Sequence, residues 1–237
     1  MEFKFMEKSV HISLNGFNVS RQMEYNTLIR YLNLQGHERV LDVACGDGYW
    51  TSRLAYLAGE VVGFDFNRDR LKQAKRMNGG FFGLIGCDAH YLPFKDRQFD
   101  AAIGICVLEH FENDYQALSE LRRVLKPGGK LVMTVDSFSL PDITEKDRAR
   151  HAAKFTVYHW YRNGDLHDLL RKAGFDVVQS TYLLRSPLAA SVYRRTLMSP
   201  KLSYLLYPFT YPLCLTSERF SRNTECGYKM AFSARAI

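Results

Sequence analysis

The stretch VLDVACGDGYW, Val40 to Trp50, decides the fold. Its apolar run, broken only by Asp42, reads as a buried strand from Arg39 to Ala44. Gly46 and Gly48 follow at once, and then an aromatic pair opens a helical pattern. A strand that turns into a helix so tightly needs backbone without a Cβ. So does close approach of that backbone to a ligand. A third glycine at position 51 would complete the dinucleotide fingerprint; Thr51 stands there, which argues against NAD and FAD.

Outward from this stretch, strands and helices alternate with short connections. Residues 20–34 read as a leading helix stopped by Gly36. Helices are expected at 49–58, ended by Gly59, at 67–77 with Gly79 just beyond, at 113–125 before KPGG, and at 160–173 before Gly174. Strands are expected at 60–65, 81–88, 99–108, 130–136, 175–184 and 227–236. The order predicts an α/β fold, a doubly wound, mainly parallel sheet of seven strands. The expected layout is one domain over 1–237. It comprises a helical cap at 1–36, a core at 38–182, an insert at 185–226 and a final strand at 227–237.

Ligands of such sheets sit past the carboxyl ends of the strands. Asp65 ends the second strand, where a carboxylate can accept bonds from both hydroxyls of a ribose or cap the helix from Asn67. Asp88 follows the third strand; with the next backbone N–H it suits the amino edge of adenine, or it is a solvated loop residue. The fourth strand runs into Glu109 and His110. An imidazole there can act as a general base near neutral pH, or the pair only shapes the loop.

Composition narrows the class. The 237 residues are 46% hydrophobic and 24% charged, enough for one normal core. Five cysteines without a CxxC pair, and an opening MEFKFMEKSV unlike a secretion signal, point to free thiols in a reducing cytoplasm. The net charge of +7 is uneven: residues 183–237 hold eight basic and two acidic residues, a net +6. That is a locally basic element rather than a surface coating nucleic acid, so no nucleic-acid partner is expected.

Five ordered motifs, VLDVACGDG, GFD, CDAHYLPFKDRQFD, LEH and LRRVLKPGGKLVMT, resemble the class I S-adenosylmethionine-dependent methyltransferases of the small-molecule type. That group includes the ubiquinone and menaquinone methyltransferases. The resemblance covers residues 38–180. It implies a Rossmann-like methyltransferase fold, S-adenosyl-L-methionine as cofactor, and methyl transfer, on oxygen, to a small-molecule or lipid-linked acceptor. It implies that Asp42, Ala44, Gly46 and Gly48 receive the methionyl part and Asp65 the ribose. Asp88 and Ala89 would face adenine beside Phe66, and Cys106 and Leu108 would lie near the transferring methyl. His110 is the first candidate base, with Tyr161, His159 and Tyr158 as a second group or as packing. Metal-dependent quinone O-methyltransferases carry a glutamate three residues before the LEH glutamate. Cys106 stands there, so no metal is expected. The alternatives are an RNA or protein methyltransferase, or a non-catalytic S-adenosylmethionine-binding regulator.

From Leu202 to Ser217 the insert carries no charge and is rich in leucine and tyrosine. It is too short for a membrane span, which takes ~20 apolar residues, and Pro208 and Pro212 are expected to interrupt any helix. Three readings stand: a lid over the acceptor pocket, a peripheral membrane contact through 185–217, or a homodimer interface.

Overall fold

The computed structural model describes residues 16–78 and 80–237. The chain order is α1 (Val19–Leu32), β1 (Arg39–Val43), α2 (Tyr49–Leu54), β2 (Glu60–Asp65), α3 (Arg68–Asn78), β3 (Gly83–Gly86) and β4 (Phe99–Ile105). Then follow a 3-10 turn at Leu108–His110, α4 (Asp114–Val124), β5 (Leu125–Asp136), α5 (Glu145–Phe155), α6 (Asn163–Lys172) and β6 (Phe175–Leu183). The chain closes with α7 (Pro187–Met198), α8 (Pro200–Leu205), α9 (Tyr207–Arg219) and β7 (Lys229–Ala236). Of the expected cap, residues 1–15 lie outside the described residues, as does the expected helix stop Gly79.

One seven-stranded sheet runs β3-β2-β1-β4-β5-β7-β6, parallel except for β7, which is antiparallel to both neighbours. The alternation of side chains explains its two-sided core. Leu41, Val43 and Phe64 point to the face covered by Leu118 and Leu121 of α4 and Leu166 and Leu170 of α6. Val40, Val61 and Ile103 point the other way, against Leu28 and Leu32 of α1 and Ala189, Ala190 and Tyr193 of α7.

Parallel register brings the strand ends to one rim. Asp42 pairs with Gly63 and with Ile103, and Asp65 with Gly86. Because β7 runs backwards, its first residue, Lys229, falls opposite the last residue of β5, Asp136. The rim therefore collects residues from both ends of the chain.

Two expectations need correcting. Pairing of β5 begins at Leu125, opposite Phe99, and KPGG is absorbed as a register shift instead of preceding the strand. The prolines do not keep the insert from being helical. Pro208 sits in the first turn of α9, where no intrahelical N–H is needed. Pro212 lies inside the helix, but it is exposed, so the carbonyl it leaves unbonded stays within reach of solvent. Helix α5 was not anticipated, although Thr144 and Asp147 form a capping box that the sequence spells out.

Candidate active site

Past β1 the backbone turns into left-handed geometry at Ala44 (φ 52°), Gly46 (φ 59°) and Gly48 (φ 77°). A Cβ on Gly48 would stand 3.0 Å from Phe82 and 3.1 Å from Ala74, so this glycine serves close packing against α3. A Cβ on Gly46 would meet nothing nearer than the Arg70 guanidinium at 3.5 Å, which leaves that side open to a ligand. The Gly46 N–H donates to Asp65 Oδ2 at 2.8 Å, and the Asn67 N–H donates to Asp65 Oδ1 at 2.7 Å. Asp65 thus braces the glycine loop and caps the next segment, and each oxygen keeps a further lone pair free to accept. Asp42 accepts a 2.6 Å bond from the Thr51 hydroxyl. Burial pushes the Asp42 carboxyl up to about 7, against that bond and with help from Asp65.

Against this loop lies a cavity of about 260 Å³, lined by Arg21, Asp42, Ala44, Gly46, Trp50 and Arg70 among others. Its lining holds the buried Asp42 carboxyl and the guanidinium groups of Arg21 and Arg70. A zwitterionic amino-acid end, such as the methionine of S-adenosylmethionine, calls for a carboxyl acceptor and a guanidinium, so the residues present fit the cofactor. Phe66, 79% exposed, and Asp88 stand at neighbouring strand ends outside this cavity. Asp88 accepts from the His90 N–H at 2.9 Å and lies 2.6 Å from His90 Nδ1, and Ala89 is buried beside them. One site falls elsewhere than expected. Leu108 is wholly buried in the core on the α4 side, because the 3-10 turn rolls it inward. Cys106 lines a second cavity, and it is Ile105 that reaches the glycine-loop cavity.

That second cavity, about 380 Å³, lies over the ends of β4, β5 and β7, beneath α1, α5 and α7. Its inner wall is charged. Asp136 pairs with Lys229 and takes a 3.0 Å contact from His151 Nε2. Burial works against the charged Asp136, but Lys229 and His151 outweigh it and hold the carboxyl well below the usual range. Glu24 of α1 accepts from Ser20 at 2.6 Å, Cys106 Sγ at 2.8 Å and Thr134 at 2.8 Å. Burial would raise Glu24, yet Arg21, Lys229 and these donors bring it down. Glu109 differs: it is 0% exposed, and neither carboxyl oxygen has a hydrogen-bond partner. Burial, with Asp136 adding to it, pushes Glu109 well above the carboxylate range, which favours its neutral form. Arg21 borders both cavities and donates to the Ile105 carbonyl at 3.2 Å between them.

His110 lies on the cavity wall. Its Nδ1 stands 3.0 Å from the Thr156 carbonyl, which can only accept, so Nδ1 carries the proton and Nε2 is left as the acceptor. Burial lowers its pKa below the usual histidine value, so the ring is neutral at pH 7. The second group of candidates is not on this wall. Tyr161 is buried in the core with its hydroxyl committed to Asp114 at 2.8 Å, His159 lies 3.2 Å from the Glu112 carbonyl, and Tyr158 is exposed. Their segment is tied to the loop by backbone bonds to the Glu109 and Asp136 carbonyls instead. The sequence reading missed Arg21, Glu24, Asp136, His151 and Lys229. Asp136 could have been found, since it ends a strand as Asp65 does. It also missed that Cys106, Glu109 and Asp136 bring ligand-type atoms within 4.8 Å of one another. Lys229 already supplies the positive charge there, and burial keeps Cys106 a thiol.

The glycine loop, the acidic second strand end and the parallel sheet closed by one antiparallel strand are those of the class I S-adenosylmethionine-dependent methyltransferases, which this chain also resembles in sequence. A family described as methyltransferase domain matches residues 41–133, and one described as protein-L-isoaspartate(D-aspartate) O-methyltransferase matches residues 1–78. The chain is 34% identical to the O-methyltransferase cnsE of Penicillium expansum, over 65% of this chain and 57% of that protein. It is 41% identical to the demethylmenaquinone methyltransferase of Corynebacterium kroppenstedtii, over 45% of this chain and 44% of that one. It spans about half the length of the curated relatives it matches. The S-adenosylmethionine-dependent methyltransferase of Mesorhizobium loti shares its fold at a TM-score of 0.65, with 19% identity over 94% of this chain and 99% of that one.

Proposed function

We propose that this chain methylates a hydroxyl oxygen on a small-molecule or lipid-linked acceptor that sits in the charged cavity beside the glycine loop. The observation that carries the reading is Glu109: a wholly buried carboxyl with no partner, on the wall of a cavity that shares Arg21 with the cofactor cavity. Such a group is costly unless a ligand satisfies it. S-adenosylmethionine, when bound, supplies a methyl group on a positive sulfonium that needs no further activation. Asp42, Arg21 and Arg70 hold its amino-acid end and Asp65 its ribose. The protein aligns the acceptor and excludes water, which accounts for on the order of 7–11 kcal/mol in well-oriented reactions. Glu109, as a neutral acid, donates one hydrogen bond to the acceptor, and His110 Nε2 takes the hydroxyl proton.

The test is turnover with phenolic and aliphatic hydroxyl acceptors, followed by S-adenosylhomocysteine release across pH. His110 must be neutral to act, so kcat/KM rises with pH through a value below the usual 6.5 and then levels. Replacing His110 by alanine should cost about 10²–10⁴-fold in kcat with S-adenosylhomocysteine affinity unchanged. An alanine variant with full activity, or product methylated on nitrogen or carbon, overturns the proposal.

A further inference from the structure

We infer that α8 and α9 form a docking surface for an anionic lipid bilayer. Helix α9 is apolar on two faces. Tyr207, Tyr211 and Cys214, at helical spacing, pack inward; Tyr211 accepts a 2.7 Å bond from Asn26 of α1. Leu206, Phe209, Leu213 and Phe220 recur on the opposite side and face solvent, Phe209 at 71% and Phe220 at 76% exposure. Leu205 of α8 adds to them at 73%. A helix whose outer face is as apolar as its inner one has a partner still to meet.

The charges around this face select the partner. Lys201, Arg219 and Arg222 are exposed beside it. Between Met198 and Asn223 the sequence has one acid, Glu218, and it is buried, accepting from the backbone N–H groups of Arg185 and Ser186 at 2.8 and 2.7 Å. The nearest exposed acid in the sequence, Glu225, is one against these three cations, so a second copy of the same face would set mainly cation against cation. Anionic headgroups supply the missing charge, and the acyl boundary accepts the aromatic and leucine side chains. Among the described residues no helix is long and apolar enough to cross a membrane, so the contact is interfacial. Tyr204 of α8 and Leu197 at the end of α7 both line the proposed acceptor cavity.

The test uses the full chain with phosphatidylcholine vesicles, with and without phosphatidylserine, read by co-sedimentation. Neither cofactor nor acceptor is added, so the result stands apart from the proposed methylation. The protein should pellet with phosphatidylserine vesicles, stay in solution with phosphatidylcholine alone, and be released by salt. Lys201→Glu with Arg219→Glu should weaken binding by about fivefold or more per site. Phe209→Ser with Leu213→Ser, both exposed, should abolish binding with unchanged thermal unfolding. Equal binding to neutral vesicles, no binding to either, or a dimer in sedimentation that the serine pair dissolves would each overturn the inference.

Discussion

Replacing Lys229 by methionine tests the charged cavity most directly. The stem is kept and the ammonium is lost. Lys229 is 4% exposed and Asp136 2%, so no water-facing charge takes over, and His151 at 3.0 Å is left to hold the carboxylate. Breaking a buried pair by removing one partner costs about 3–5 kcal/mol, because the other charge stays buried. That is a large part of the 5–15 kcal/mol typical of a folded domain. The pH dependence follows from the shift. In the native protein Asp136 lies below its ordinary 3.8, so its contribution is complete above that value and is lost as pH falls through the folded-state pKa. In the variant burial acts without Lys229 and raises the group; protonation then relieves the penalty, so the loss is greatest at neutral pH and shrinks toward about pH 4. Urea unfolding followed by circular dichroism at both pH values measures it. Adding Asp136→Asn to the lysine variant should recover more than half of the loss. A loss under about 1 kcal/mol at neutral pH, or a double variant no more stable than the single one, refutes the reasoning.

Gly48→Ala places a Cβ 3.0 Å from Phe82 in a left-handed backbone; it should cost about 1–2 kcal/mol for the backbone alone, seen as a lower urea midpoint, and weaken S-adenosylhomocysteine binding. Asp65→Ala removes the acceptor of the Gly46 and Asn67 N–H groups; titration calorimetry should show S-adenosylhomocysteine affinity falling at least tenfold, and unchanged affinity would remove Asp65 from the cofactor site. Glu109→Gln keeps the shape and removes the titration. Because the folded-state pKa of Glu109 is raised, the native protein loses stability as pH climbs above the ordinary 4.5, by up to about 1.4 kcal/mol per unit. The glutamine variant should therefore match the native protein in acid and exceed it at pH 8; equal stability at both would show that Glu109 is not buried as a neutral acid.

What lies close together in the chain was legible from the sequence. A strand, a glycine turn and a helix are local objects, written in apolar spacing and in residues without Cβ, so VLDVACGDGYW announced its own geometry. Asp42, Asp65 and Asp88 could be placed at strand ends for the same reason. The helices of the insert were misread because proline was weighed by its interior cost, although at Pro208 it occupies a first turn and at Pro212 it faces solvent. The cavity was beyond reach of any local pattern. Glu24, Glu109, Asp136 and Lys229 come from a leading helix, a loop, the end of β5 and the start of β7, and no spacing links them. Lys229 meets Asp136 because the last strand runs backwards, a matter of topology. Tyr161 looked suited to chemistry by type and position, and packing turned its hydroxyl toward Asp114. Whether a charged group is a partner, a base or a buried acid depends on what surrounds it in three dimensions. Periodicity records which residues share a face of one element; it does not record which elements meet.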